Sequence, residues 1–280
     1  MNDRQILQEL LKVEQPLVMP DAYDGLSARL IQMAGFKAVQ CSGFSIGLAS
    51  RAAPEQAVDF DKNLDTTRDI VRAVTIPVMA DGEDGFGPPA SVYKTVGAFL
   101  DVGVSGINLE DQVLPTPKAK DVIDPVLMVE KIKAARDAAR DKHAADMVIN
   151  ARTDALAACD DRLKGIAEAI IRGNKYLQAG ADLVFVTAVA TPDEAKRIVD
   201  GIEGPVSIAA GMPYNINTLT IGQLRACGVA RVSLPAIAVF SAIQAIKKTL
   251  LIIRDSDSFE GIIKEGLLCS PGDLSQVLLR

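Results

Sequence analysis

The sequence predicts a closed (β/α)8 barrel, and three observations carry that expectation. Apolar runs of strand length alternate with helix-length stretches eight times along 280 residues, a length at which one such barrel closes. The strand runs are apolar throughout rather than at every second residue, as in parallel strands buried on both faces. Glycine recurs where a helix gives way to the next strand, at Ala34-Gly35, Val102-Gly103, Ala179-Gly180 and Cys227-Gly228, the position of a left-handed C-terminal cap. The rival, an open doubly wound sheet, expects a glycine-rich dinucleotide fingerprint at its first turn, and there is none. No linker-like stretch divides the chain. Residues 1–280 are expected to form one barrel domain, with a helical extension from about 237 to 280.

Taken in order, a short amphipathic helix precedes a first strand at Leu17-Val18-Met19-Pro20. Asp24 is placed to cap a helix through Leu26, Leu30 and Met33 that ends at Gly35, since a short carboxylate accepts from the open N–H groups of a first turn. The second strand covers residues 38–43 and its helix residues 59–74. Thr75-Ile76-Pro77-Val78 lead the third strand, and Pro88-Pro89 open a helix lasting to Gly103, proline being at home in a first turn. Residues 106–111 make the fourth strand, followed after a longer loop by a helix over 124–143. The fifth strand spans 147–152, with a helix over 162–180. Residues 182–189 form the sixth, and Pro192 opens the helix behind it. Residues 205–209 and 231–234 supply the last two strands, a helix over 220–228 lies between them, and a long helix starts near Ala236.

Composition narrows the function. Apolar residues make up 49% of the chain and charged residues 24%, so a large core is within reach and disorder is not expected. A net charge of -6 without a Lys/Arg-rich patch argues against a nucleic-acid partner. No apolar run reaches membrane-spanning length. Met1-Asn2-Asp3-Arg4-Gln5 lacks the build of a signal peptide. Cys41, Cys159, Cys227 and Cys269 have neither metal nor redox spacing. A cytoplasmic location with reduced thiols is the expectation.

In a barrel, side chains at the C-terminal strand ends converge on one mouth. Here those ends read Ser42-Gly43, Asp81 with Glu83 and Asp84, Glu110 with Asp111, Asn150 with Arg152, and Thr187. The centre is Met79-Ala80-Asp81-Gly82-Glu83-Asp84-Gly85-Phe86-Gly87, whose glycines allow tight turns and close approach of backbone to a ligand. Carboxylates this close repel once desolvated, and a divalent cation relieves the cost. Acidic oxygens suit Mg²⁺, with Mn²⁺ as the substitute, and the arginine suits a substrate carboxylate or an enolate oxygen. A solvated acidic loop is the plainer reading of those nine residues alone, and polar strand ends also cap helices. Asn150 and Asp111 stay open between these readings. Asp81, Glu110 and Arg152 together point to a site, because a buried charged cluster needs a partner. His143, the one histidine, sits near a helix end and takes no catalytic role. Cys41 faces the opposite side of its strand from Ser42. Asp154 either holds Arg152 or caps a turn.

At this point the chain resembles the isocitrate lyase/phosphoenolpyruvate mutase superfamily over nearly its whole length. The resemblance is carried by Asp21-Ala22-Tyr23-Asp24 with Ser27-Ala28, by Ser42-Gly43 and by the acidic stretch of residues 81–87. It continues in Leu109-Glu110-Asp111-Gln112, Asn150-Ala151-Arg152-Thr153-Asp154-Ala155 and Ala179-Gly180-Ala181-Asp182. It implies a TIM-type barrel, assembled as a homotetramer (a dimer of dimers) with the last helix swapped between paired subunits. It implies Mg²⁺-dependent cleavage or formation of a C–C or C–P bond beside a 2-oxo or 2-hydroxy acid. By the same resemblance Asp81 and Glu83 bind the metal, Glu83 standing where many members have aspartate, and Glu110 holds metal-bound water. Ser42 and Gly43 cradle the carboxylate of a small anionic substrate, and Arg152 steadies the enolate. Asp81 and Asn150 complete the expected substrate-facing set.

The departures are as informative. Lyases of the superfamily carry Lys-Lys/Arg-Cys-Gly-His in the loop after strand four. Here that loop, Gln112-Val113-Leu114-Pro115-Thr116-Pro117-Lys118-Ala119-Lys120-Asp121, has neither cysteine nor histidine. Thr187 and Ala210 stand where methylisocitrate lyases have glutamate and asparagine. A tricarboxylate-cleaving lyase is therefore not expected. Pro115 and Lys118 only loosely echo the lid of the mutases and phosphonopyruvate hydrolases. A lyase needs a placed acid to protonate its leaving fragment, whereas a decarboxylase only expels CO₂ and leaves the enolate to water. The expected activity is C–C cleavage of a 2-oxo or 2-hydroxy dicarboxylate through an enolate, by oxaloacetate-type decarboxylation or retro-aldol cleavage. A C–P bond enzyme and a non-catalytic metabolite-binding barrel are the alternatives. Lys118 and Lys120 are candidates to fold over the substrate, on a lid from about 114 to 122. Residues 243–253 are apolar on too many faces to lie alone. With the tail through Phe259 and Leu267 they are expected to pack on another subunit.

Overall fold

The computed structural model describes residues 1–50, 58–113 and 121–278. Eight parallel strands close a barrel in sequence order: β1 (Leu17–Ala22), β2 (Val39–Cys41), β3 (Val78–Asp81), β4 (Gly106–Glu110), β5 (Val148–Thr153), β6 (Leu183–Val186), β7 (Val206–Ala209) and β8 (Arg231–Leu234). Closure is made by β8 beside β1, where Leu17 pairs with Arg231 and Pro20 with Leu234, and it leaves no open sheet edge. The strands lie where the sequence places them, with shifts of a few residues at their ends.

Ahead of the barrel runs α1 (Asp3–Val13), and around it run α2 (Gly25–Met33), α3 (Gly43–Ala49), α4 (Phe60–Ala73), α5 (Pro89–Asp101), α6 (Pro125–Asp141), α7 (Arg162–Gln178), α8 (Pro192–Gly201) and α9 (Ile221–Ala226). The chain ends in α10 (Ile237–Ser256), α11 (Glu260–Lys264) and α12 (Pro271–Leu278). Asp24 caps α2 as expected, accepting from Ser27 N at 2.7 Å while Ser27 Oγ accepts from Asp24 N at 3.1 Å. The stripe Leu26, Leu30 and Met33, however, faces outward, and Ser27, Ala28 and Ile31 are the buried residues of α2. Small residues let this helix lie close to the wall, and α12 packs against it. The short α3 is not among the elements read from the sequence. Two glycines in seven residues lower its helix propensity, and burial of Gly43, Ser45, Ile46 and Gly47 holds it.

The main core lies between the barrel wall and its helices. Ile107, Leu109 and Ile149 pack with Phe99, Met128, Ile132 and Tyr176, each large side chain contributing roughly 1.5–3 kcal/mol by leaving water. At the N-terminal end α1 plugs the barrel, where Leu7 meets Leu17, Met19, Met79, Val148 and Leu183. The middle of the barrel is polar. Arg231, fully buried, donates to Ser207 Oγ at 2.8 Å and to Gln40 Oε1 at 2.7 Å and lies over the Phe185 ring. Asn150 Nδ2 donates to Asn108 Oδ1 at 2.6 Å. On α10, Ile243, Ile246 and Leu250 are 46%, 60% and 61% exposed. Among the described residues no helix is long and apolar enough to cross a membrane.

Candidate active site

The acidic stretch leaves β3 through a run of left-handed residues: Glu83 (φ 49), Gly85 (φ 88), Phe86 (φ 57) and Gly87 (φ 130). For Glu83 and Phe86 that conformation costs roughly 1–2 kcal/mol each, and the surroundings hold it. Gly82 N donates to Asn108 O at 2.9 Å, and Glu110 N donates to Glu83 O at 2.9 Å. Thr95 Oγ1 donates to Gly85 O at 3.1 Å, and Phe86 stacks edge-on against Phe60. The result aims Glu83 into the mouth and turns Asp84 away. Asp84 pairs instead with buried Lys131, whose Nζ donates to Asp84 O at 2.6 Å and sits 3.3 Å from Oδ2.

Opposite this turn, Ser42 directly follows β2 and caps α3, its Oγ accepting from Ser45 N at 3.1 Å. Gly43 N donates to Asp81 Oδ2 at 2.8 Å. A Cβ at Gly43 would lie 1.7 Å from Glu83 Oε1, so only glycine lets the α3 backbone approach the carboxylates this closely. At the end of β4, Glu110 Oε2 meets Arg152 Nη1 at 2.5 Å. Arg152 is clamped from its other side, with Nε 2.8 Å from Asp154 Oδ2 and Nη2 3.1 Å from Asp154 Oδ1. Nη2 also donates to Gln112 Oε1 at 3.1 Å, and Thr187 Oγ1 donates to Asp154 Oδ1 at 2.9 Å.

Asp81, Glu83 and Glu110 can therefore present one oxygen each within 4.8 Å of one another. Burial pushes both Asp81 and Glu83 above the ordinary carboxylate range. For Asp81 the Arg152 charge and two main-chain N–H groups oppose it, whereas for Glu83 the negative charges of Asp81 and Glu110 add to it. Burial works against charge on Arg152 as well, but Asp154 and Glu110 hold its proton more tightly than usual. Three crowded, desolvated carboxylates beside Gly43 fit a hard divalent cation, which offsets their mutual repulsion.

Of the residues expected at the site, Ser42, Gly43, Asp81, Glu83, Glu110 and Arg152 come together. Asn150 lies one interior position below Arg152, fully buried against Asn108, because residues two apart on a strand share a face at different depths. Asp111 turns outward from the barrel. Lys118 and Lys120 lie outside the described residues, as does the expected lid apart from its stem, where Val113 N donates to Asp121 O at 2.9 Å. Asp21 was not expected there. β1 runs on to Ala22, which carries this carboxylate to the rim, and Ser233 Oγ donates to it at 3.0 Å. Burial raises Asp21 to about 8, against the pull of Arg231. Its place near the end of the first strand was the available signal.

The family model for phosphoenolpyruvate phosphomutase matches residues 7–254. The chain belongs to that family. It is thus an enzyme of the isocitrate lyase/phosphoenolpyruvate mutase superfamily. It is 31% identical over 268 residues to the 2,3-dimethylmalate lyase of Eubacterium barkeri, covering 94% of this chain and 90% of that one. It is 30% identical over 263 residues to the 2-methylisocitrate lyase of Halalkalibacterium halodurans, covering 92% of this chain and 84% of that one. Among solved structures, a phosphonopyruvate hydrolase in complex with oxalate and Mg²⁺ superposes with a TM-score of 0.86 at 27% identity, covering 99% of this chain and 95% of that one.

Proposed function

We propose that the chain is a Mg²⁺-dependent lyase that breaks a C–C bond beside the 2-oxo or 2-hydroxy group of a small dicarboxylate, by way of an enolate. The observation that carries the reading is Arg152, locked between Glu110 and Asp154 at the edge of a three-carboxylate cluster. Asp81, Glu83 and Glu110 are the residues to hold the metal, directly or through water. A cation held there would draw electron density from the carbonyl or hydroxyl of the substrate. Ser42 and the main chain at Gly43 form the side of the cradle that takes a carboxylate. The Arg152 guanidinium supports the negative charge that builds up as the bond breaks, and it keeps its own proton throughout. In decarboxylation the bonding pair passes to the carbonyl oxygen, CO₂ leaves and water protonates the enolate carbon. The loop cysteine absent from this chain is not needed for that course. A relative that acts on a substituted malate supports a small dicarboxylate, and a structural neighbour holding oxalate and Mg²⁺ supports the metal.

A panel of oxaloacetate, alkyl-oxaloacetates, 2-alkylmalates, methylisocitrate and phosphonopyruvate with Mg²⁺, scored for pyruvate and other products, tests the reading. Turnover of the four-carbon or alkylated dicarboxylates, with methylisocitrate left intact, is expected. Turnover of phosphonopyruvate alone would replace it by C–P chemistry, and no turnover at all by a binding role. Calorimetry should show Mg²⁺ binding in the presence of oxalate, lost in Asp81→Ala. No heat from the unaltered protein would remove the metal.

The exposed Ile243, Ile246 and Leu250 support assembly through α10. Light scattering at micromolar concentration should give a multiple of the 29.7 kDa chain mass, a tetramer with swapped C-terminal helices being the expected form. A monomer would refute this.

A further inference from the structure

Asp111 follows Glu110 directly, yet its side chain points the other way, into the packing between the barrel wall and α7, and it is fully buried. There its carboxylate is divided between two elements. Oδ2 accepts from Tyr176 Oη at 2.7 Å and from Arg172 Nη1 at 3.2 Å, both on α7. Oδ1 accepts from the main-chain N of Asp154 at 2.9 Å. The main chain of Asp111 is equally engaged, its N–H donating to Arg152 O at 3.1 Å and its carbonyl accepting from Ile123 N at 2.8 Å. Arg172 Nη1 also donates to Ile123 O at 2.8 Å.

We propose that Asp111, braced by Tyr176 and Arg172, is a positioning residue that sets the Arg152 guanidinium and ties it to the stem of the loop after β4. Asp111 grips the segment from Arg152 to Asp154 at both ends, through its main chain at the first and its carboxylate at the second. Asp154 then fixes the guanidinium plane with two hydrogen bonds. A shift of the Asp154 main chain is carried straight to the charge at the mouth, because a forked pair transmits both position and tilt. Asp111 itself begins one side of the loop stem, and it is tied to the other at Ile123 twice, by its own carbonyl and, from its carboxylate, through Arg172. An ordinary strand-to-helix tie would need only one of these contacts. The proposal rests on Arg152 being the charge-stabilising group of the proposed function.

Tyr176→Phe removes one brace and leaves the ring in the core. On the best substrate, kcat should fall on the order of tenfold with KM and Mg²⁺ affinity little changed, as expected for a small misplacement of a reacting group. In an Arg152→Lys background the same substitution should have almost no further effect, since the loss passes through Arg152. Asp111→Asn, which keeps the shape and gives up one acceptor, should show the same pattern. Full additivity in this cycle, or unchanged kcat in both single variants, would overturn the proposal. If the unaltered protein turns over no member of the panel, it is the functional reading that has failed. Hydrogen exchange of the peptide covering residues 150–156 then decides the positioning claim. Faster exchange there in Tyr176→Phe, with the rest of the barrel unchanged, supports it, and an unchanged rate overturns it.

Discussion

Arg152→Lys is expected to lower turnover by roughly 100-fold or more, the loss typical of one oriented donor at a developing anion, while calorimetry still registers Mg²⁺. Lysine keeps a positive charge but has no fork. It cannot meet Glu110 on one nitrogen and both oxygens of Asp154 on the others, as Arg152 does. The loss should fall on kcat more than on KM if the charge matters most as the bond breaks. Asp81→Ala separates the two functions, since it should abolish metal binding and activity together. Turnover unchanged in Arg152→Lys would show that the mouth binds without using this charge.

Gly43→Ala is expected to cost metal affinity and turnover on the order of 10–100-fold, the range seen when the surroundings of a ligand are disturbed, with little change in melting temperature. The backbone at Gly43 does not need glycine, for it lies in the first turn of α3 outside the left-handed region. What the added methyl meets is the tip of the Glu83 side chain, at 1.7 Å from Oε1, with Asp81 Oδ2 at 3.1 Å. A flexible side-chain end can swing aside cheaply, so the fold survives. The carboxylate then leaves the cluster. A variant that melts early would show that Gly43 serves the barrel, and one that keeps full metal affinity would show that Glu83 is not a ligand.

The barrel was legible because burial on both faces leaves a continuous apolar signature in each strand, and cap glycines mark the helix ends. α3 was not, since Gly43-Phe44-Ser45-Ile46-Gly47 has no helical preference of its own and is helical only by packing. Polar residues at the strand ends pointed to the mouth, and the pairing of β4 with β5 sets Glu110 beside Arg152. The roles of Asp84 and Asp111 were not legible. Each neighbours a true mouth residue, and which way it turns depends on partners distant in sequence, Lys131 for one and Tyr176 for the other. The sequence does not place Asp21 at the mouth, because the apolar run of the first strand ends at Pro20. Pairing with β2, of Asp21 with Gln40 and Ala22 with Cys41, carries the first strand past that point.

Barrels of this kind usually fill their interior with layers of branched aliphatic side chains. Here Gln40, Asn108, Asn150, Ser207 and Arg231 occupy the middle of the interior. The guanidinium there lacks full solvation, and burial brings Arg231 down to about 10 even with Asp21 and Asp81 pulling the other way. Its charge pulls the proton affinity of both carboxylates down, against the burial that raises it. The potential at the rim is therefore set partly from below. Grafting the rim residues alone onto a conventional aliphatic barrel would transplant the carboxylates and Arg152 without the second positive charge beneath them, and a redesign of this scaffold has to carry the floor along with the mouth.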